Sequence, residues 1–532
     1  MNHKIPPIPS DLSDAEKLTW QLDGPDGSDR VFRHEIFSNL PPKTALAIAK
    51  TYQKLYTVKS RQAANLYLLD IKQKLTPKTI NIAISPDGAE LYAKSIVRKC
   101  LLHKGIISDL GKLYKKLISL AKTENIRPPR MSSKVTLDGA LRRLADEQWW
   151  CSKLRKYHRE HFEIGMIRAG LVHKKAAIYV SDESLRSYIS MRERNNRILE
   201  SLVAFNEEDN SEHLLIELVA HSQSNPDNRR SELMVRLHGT DQISQDLGHK
   251  SLFITLTCPS RMHPRYALSG DPNPNYDSTS PRDANSYLNT LWSRIRATFK
   301  RRDIHIYGIR VAEPQHDGTP HWHILLFASE HNINEIKAVF IEYALHDSPD
   351  EKGAKKHRVT FEDIDPEKGT ATGYIAKYIT KNIDGKHIDT DIHGNDAKSS
   401  SQRVAAWASI FHIRQFQFFG TAPVGLWREI RRLKGVPNGL ISDAFAAADK
   451  GDWKAFILIL GGIEQQKKLL PIKTLKTWVD SPGKYGEPIG DVVLGVTDGV
   501  NDAITRSLSW KIQKRKVNEA CSAGLHGGSH AF

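Results

Sequence analysis

Residues 304–327 read IHIYGIRVAEPQHDGTPHWHILLF. From His305 to Glu313 alternate positions differ in character, with Tyr307, Ile309, Val311 and Glu313 sharing one side of a period-two pattern, which predicts a β-strand. PQHDGTP follows. Asp317-Gly318 favours positive φ and the two prolines refuse ladder positions, so the segment predicts a turn. HWHILLF is short, apolar and β-prone, and it predicts the returning strand of a hairpin. Residues two apart on a strand share a face, so His321 and His323 point to one side and Trp322 to the other. The hairpin then brings the Glu313 carboxylate beside both rings.

An H-x-H pair by itself describes either a solvated strand face or a ligand set; Glu313 on the partner strand favours ligands. Two imidazoles and one carboxylate leave coordination positions open for a substrate oxygen, which suits a catalytic divalent ion. Mg²⁺ or Mn²⁺ suits such a site and zinc accepts the same donors, so the residues argue for a catalytic metal more firmly than for which one.

The second chemical segment is TATGYIAKYITKNID, residues 370–384. Tyr374 and Tyr378 are spaced i and i+4, so on a helix both phenols face one site. Lys377 and Lys381 lie on an adjoining stripe. Alone, this segment reads rather as an aromatic pair beside two solvated lysines. Next to a metal-binding hairpin it becomes a pair of nucleophiles, with Lys377 placed to favour an ionised phenol whose ordinary pKa is near 10.

HWH followed by YIAKY resembles the HUH endonuclease superfamily, and the two tyrosines resemble its rolling-circle initiators. More specifically, the chain resembles the bacteriophage replication gene A protein family of P2-like temperate phages. LADEQWWCSKLRKYHREH, VHKKAAIYVSDESL, NPDNRRSELMVRLHGT, SLFITLTCPSRMHP and NPNYDSTSPRDANSYLNTLWSRIRA share the likeness, which runs from about Val135 to Arg432. The resemblance implies an α+β fold with an antiparallel, ferredoxin-like sheet. It also implies a two-tyrosine cycle. One tyrosine nicks the origin, leaving a 5′-phosphotyrosyl link and a free 3′-hydroxyl primer, and the other tyrosine reseals the displaced strand. Partners implied are single-stranded or supercoiled origin DNA, a host helicase and a DNA polymerase. A two-tyrosine transposase or relaxase of the same superfamily would share the site, a metal hydrolase would use water, and a non-enzymatic DNA-binding protein would need no Glu313.

Charge agrees with a phosphate-bearing partner: 77 Lys and Arg against 61 Asp and Glu give a formal +16. No G-x-x-x-x-G-K-[ST] loop occurs, so unwinding by a Walker-type ATPase is not expected. No apolar run reaches the ~20 residues of a membrane span, and MNHKIPPIPS has no secretory character. The four cysteines, Cys100, Cys151, Cys258 and Cys521, are scattered without a C-x-x-C. Together these point to the cytoplasm of a bacterial host, with Cys151 and Cys258 read as buried thiols.

The expected organisation is an N-terminal region over 1–130, a basic helical region over 131–245, the catalytic domain over 246–395, and a C-terminal region over 396–532. Both flanking regions are expected to be largely helical. Arginines and lysines of the basic region face either solvent or a DNA backbone. The catalytic order is strand (SLFITLTCP), helix (DANSYLNTLWSRIRATFKR), hairpin, helix (INEIKAVFIEYAL), strand (HRVTFEDI) and tyrosine helix. SRMHPRYALSGDPNPNYDSTSPRD reads as a substrate-facing loop, GKHIDTDIHGNDAKSSSQRV as a surface loop, and GLHGGSHAF as a disordered end. Residues 406–434 interleave aromatics with arginines, a composition suited to unpaired bases and phosphates as well as to a core. Lys381, Arg414, Trp427 and Arg428 are the DNA-binding candidates.

Overall fold

The computed structural model describes residues 8–515 apart from 24–26, 28, 86, 268, 365–368, 385–396, 436–438 and 464. Helices follow one another from Asp14 to Thr123. Their starts are written in the sequence: Ser60, Thr76 and Asp109 each accept a backbone N–H in the first turn of the following helix. One apolar stripe of Pro42–Val58, Ala45, Ile48, Ala49 and Tyr52, is buried in the same cluster as Leu68 and Ile71 of Arg61–Lys74.

The elements around the site are α1 (Glu147–Arg168), α2 (Asp182–Glu200), α3 (Pro226–Asp246), β1 (Lys250–Thr257), α4 (Pro281–Arg301), β2 (Tyr307–Pro314), β3 (Pro320–Ala328), α5 (Ile333–Leu345), β4 (Val359–Asp363), α6 (Ala371–Ile383), α7 (Ala397–Ile410) and β5 (Phe416–Phe419). The strands form a five-stranded sheet in the order β4-β1-β3-β2-β5. Every neighbouring pair is antiparallel. Alternation along each strand divides the residues between two cores. Leu252, Ile254, Trp322, Ile324 and Leu326 cluster with Leu288, Trp292 and Phe299 of α4 and Val339 and Phe340 of α5. Phe253, Ile309, Val311, Leu325 and Phe327 cluster with Leu233 and Leu237 of α3 and Ile375 and Ile379 of α6. Helices on both faces explain why all eight residues of β2 are buried.

The element order expected for 246–395 is present, within an α+β architecture. The unit built on the sheet is wider than that range, however. It takes α3 from before residue 246 as a cover and β5 from beyond 395 as an edge strand. FQFF is too short to show a period, so sequence alone does not mark it as a strand. The C-terminal region is not largely helical: after Trp453–Ile459 come the strands Lys473–Pro482, Pro488–Thr497 and Asp502–Ile504, which form a separate sheet. A further strand, Trp510–Lys514, pairs with Leu202–Asn206 far back in the chain.

The polar run AKSSSQRV, expected as loop, is the start of α7. Val404, Ala406, Trp407, Ile410 and Phe411 are buried there, and that packing overrides a serine-rich beginning. The preceding loop over 385–396 lies outside the described residues, as do Cys521 and the expected disordered end. Cys258 is buried; Cys151 is only partly so. Among the described residues no helix is long and apolar enough to cross a membrane.

Candidate active site

Hairpin register builds the first half of the site. Glu313 pairs with His321 across β2 and β3, and Val311 with His323. On the other flank of β3, Thr257 pairs with His321 and Thr255 with His323. The turn between the strands is itself buried. Gly318 adopts φ +83°, a left-handed conformation that glycine reaches without a Cβ penalty. Trp407 of α7 donates its indole N–H to the Gly318 carbonyl at 2.8 Å, and Asp317 accepts from Thr319 N at 3.0 Å. One bond from α7 and one within the turn therefore hold the hairpin end in place.

Glu313, His321 and His323 each offer a ligand atom, and those atoms lie within 4.8 Å of one another. The Nε2 atoms of the two histidines are 2.9 Å apart, and Glu313 Oε2 is 3.8 Å from His323 Nε2. Thr255 Oγ1 meets His323 Nδ1 at 3.1 Å, which fixes the ring and aims Nε2 at the cluster. Burial holds both imidazoles neutral, with pKa values lowered to about 3; His323 adds to this for His321, and Lys381 and Lys377 for His323. Neutral imidazoles are the form that ligates a cation. Two imidazole nitrogens and a carboxylate converging in this way fit a divalent ion.

Helix α6 supplies the second half. Thr370 caps it through Gly373 N, and Asp241 of α3 accepts from both the N–H and the hydroxyl of Thr372. Ile375 and Ile379 point into the sheet; Tyr374 and Tyr378 are half-buried at its margin. The Tyr378 ring lies 4.2 Å, centroid to centroid, from His323. Phe253 is their shared floor, edge-on to Tyr374 at 4.7 Å and stacked with Tyr378 at 5.3 Å. Lys377 is exposed, with its ammonium 4.5 Å above the Tyr374 ring and 4.9 Å above Tyr378. Burial, with the charges of Glu313 and Glu362, raises the Tyr378 phenol to about 12. Whatever Lys377 contributes, these effects keep that phenol protonated.

The far end of α6 closes on the hairpin. Lys381 Nζ is 3.2 Å from Glu313 Oε2, and Asn382 donates to Glu313 Oε1 as well as to the Tyr378 carbonyl. Lys381, expected on the DNA, is instead buried against the candidate ligand. Sequence reasoning missed Asn382, Thr255 and Phe253. Asn382 lies i+4 from Tyr378, and Thr255 and Phe253 alternate on β1, but no pattern in one sequence says which strand β3 will pair with on its second side.

The remaining DNA-binding candidates separate. Trp427 is core, edge-on to Trp453 at 5.0 Å and to Phe456 at 4.9 Å. It is 1% exposed and cannot stack on a base. Arg428 grips Glu232 through Nε at 2.8 Å and Nη2 at 2.6 Å. Arg414 is exposed just before β5. A tryptophan flanked by arginines reads the same in sequence whether its partner is a base or another helix. Here the partner is Trp453–Ile459.

The family model described as bacteriophage replication gene A protein matches residues 95–386. The replication gene A protein of Escherichia phage 186 is 39% identical over 422 residues, covering 74% of this chain and 60% of that protein. The replication protein of Haemophilus phage HP1 is 37% identical over 389 residues, covering 71% and 49%. A probable replication endonuclease from a prophage-like region of Salmonella typhimurium is 33% identical over 411 residues, covering 73% and 50%. This chain thus spans about half to three fifths of the length of these relatives. No solved structure matches it.

Proposed function

The chain belongs to the bacteriophage replication gene A protein family, and from that premise we propose that it starts phage DNA replication as a metal-dependent, site-specific nicking enzyme of the HUH type. One observation carries the reading: the register that sets Glu313 opposite His321 also turns His323 toward the ring of Tyr378. A ligand set and a phenol on one sheet face are what phosphodiester transesterification requires. The relatives' printed names, replication protein and replication endonuclease, support the same class.

In the proposed reaction a tyrosine oxygen forms a bond to phosphorus as the bond to the 3′-oxygen breaks. The products are a 5′-phosphotyrosyl enzyme and a strand whose 3′-hydroxyl, having taken up a proton, can prime synthesis. Glu313, His321 and His323 would hold Mg²⁺ or Mn²⁺, which when bound would polarise the scissile phosphate and counter the Glu313 charge that keeps Tyr378 protonated. Lys381 and Asn382 orient Glu313, and Thr255 orients His323. Phe253 sets both tyrosine rings, and Lys377 brings a positive charge to them. Tyr378 is the nucleophile beside the ligands and Tyr374 the one available for the second transfer. A host helicase and DNA polymerase would complete the cycle, since strand displacement must draw on energy from elsewhere.

The test is incubation with origin-bearing DNA and Mg²⁺, followed by denaturing electrophoresis. The expected result is cleavage of single-stranded or supercoiled DNA with a covalent protein–DNA adduct, abolished by EDTA. Cleavage at the same rate without an adduct would assign the site to water-mediated hydrolysis and overturn the proposal.

A further inference from the structure

A groove of about 1160 Å³ runs along the free edge of the sheet, outside β5. Arg236 of α3, Arg296 and Lys300 near the end of α4, Arg414 and Lys467 all border it, against a single carboxylate, Asp303. Asp303 is almost fully exposed and lies 3.4 Å from His305. Among the described residues Arg296, Lys300, Arg414 and Lys467 form no ion pair. Arg236 is buried, yet its closest carboxylate contact is 4.0 Å, to a Glu232 already held by Arg428, and its Nε reaches no acceptor. Burial, with the charges of Arg428 and Arg414, lowers its pKa to about 10. Arg236, buried with so little counter-charge, is costly for the fold, and with the exposed Arg296, Lys300, Arg414 and Lys467 around it the recess is ready for an anion.

The groove is also aromatic. Phe416, Phe418 and Phe419 line it, with the Arg236 guanidinium 3.9 Å from the centre of the Phe418 ring. Gly425 and Gly462 stand on its rim with nothing within 4 Å of where a Cβ would be, so a ligand backbone can come close. It is joined to the candidate active site through the backbone. Phe416 pairs with Val311, and Ala312 N bonds the Gln415 carbonyl at 2.8 Å, so the ladder continues toward the Glu313 end of β2 just where Arg414 stands.

We infer that this edge groove binds single-stranded DNA, its phosphates on Arg236, Arg296, Arg414 and Lys467 and its unpaired bases against Phe418 and Phe419, leading the strand to or from the metal-ligand cluster. Alternating arginines and aromatic faces suit unpaired bases, since every base offers a π-face while a duplex hides it. The choice of DNA rests on the proposed function; the charge and the aromatics are independent of it.

The test is binding of a labelled oligothymidylate to the full chain by fluorescence anisotropy over a range of salt. Its variant is Arg296→Ala/Arg414→Ala/Lys467→Ala, three exposed positions whose loss leaves the core untouched. Affinity should fall at least tenfold, and the slope of log K against log salt should flatten by about 0.7 for each phosphate contact removed. Replacing Arg414 by Lys in the parent should keep most of the affinity, and an oligonucleotide carrying iododeoxyuridine should photo-crosslink to the 416–419 peptide. Unchanged affinity and slope in the triple variant would overturn the inference. So would equal competition by a duplex of the same length or by polyglutamate. If the triple variant loses binding while the parent forms no adduct with origin DNA, the groove stands and the nicking reading falls. A triple variant that binds and forms adduct like the parent removes the groove alone.

Discussion

The hairpin that carries Glu313, His321 and His323 and the helix that carries Tyr374 and Tyr378 are held in the fold by different means. The hairpin is fixed by two antiparallel ladders, one on each side of β3, and by a turn buried beneath α7. The tyrosine helix lies on the sheet through Ile375 and Ile379 and is tied at its ends by side chains, Asp241 at one and Lys381 and Asn382 at the other. The ligand half is thus built into the backbone, where a change of register would dismantle it. The half that carries the tyrosines is docked on the sheet through side chains alone.

The largest expected effect separates the two halves. Tyr374→Phe with Tyr378→Phe removes two oxygens from half-buried rings, and covalent adduct should fall at least about a thousandfold, the scale seen when a nucleophile is lost. Thermal stability and Mn²⁺ binding by calorimetry should stay near parental values. Loss of metal binding in that variant would break the distinction. Thr255→Val acts on the hairpin half alone. It removes the hydroxyl that orients His323, and metal affinity should weaken by about ten- to a hundredfold, as for other supporting shells.

Stability measurements sharpen the comparison further. Gly318→Ala forces a side chain into φ +83° and should cost about 1–2 kcal/mol in denaturant unfolding. Asp241→Ala strips two bonds from the start of α6 and should cost about 1–3 kcal/mol, with faster amide exchange in 371–383 and little change in β2 and β3. Exchange rising equally in hairpin and helix would mean that the two form one cooperative unit.

A separate effect is on acid response. His158 of α1 is buried with neither ring nitrogen partnered, and burial, with the charges of Lys78 and His161, lowers its pKa from 6.5 to about 4. The unfolded chain therefore takes up this proton first. The stabilisation is complete above about pH 6.5, declines as pH falls, and is lost below about 4. His158→Leu should flatten that part of the stability–pH profile; an unaltered profile would place the acid sensitivity elsewhere.

The site was more legible in the sequence than its surroundings. Period-two alternation and a DG turn are local signals, so 304–327 announced both the hairpin and the face that Glu313, His321 and His323 share. The i, i+4 spacing likewise put the tyrosines on one side of a helix. What joined the two halves was non-local. Lys381 turned inward because a buried carboxylate from another element awaited it, and Trp427 became core because Trp453 arrived from beyond. β5 could not be read at all, since four residues show no period and their ladder partner lies about a hundred residues earlier.

The central claim is that the register-built cluster and the docked helix form one nucleophilic site, and peptide mapping of the covalent adduct tests it most directly. Origin-bearing single-stranded DNA, Mg²⁺ and the full chain should give a phosphotyrosyl peptide from residues 371–383, carrying DNA on Tyr378 or Tyr374, with none after EDTA treatment. DNA attached to a residue outside α6, or efficient cleavage with no attached peptide, would contradict the account.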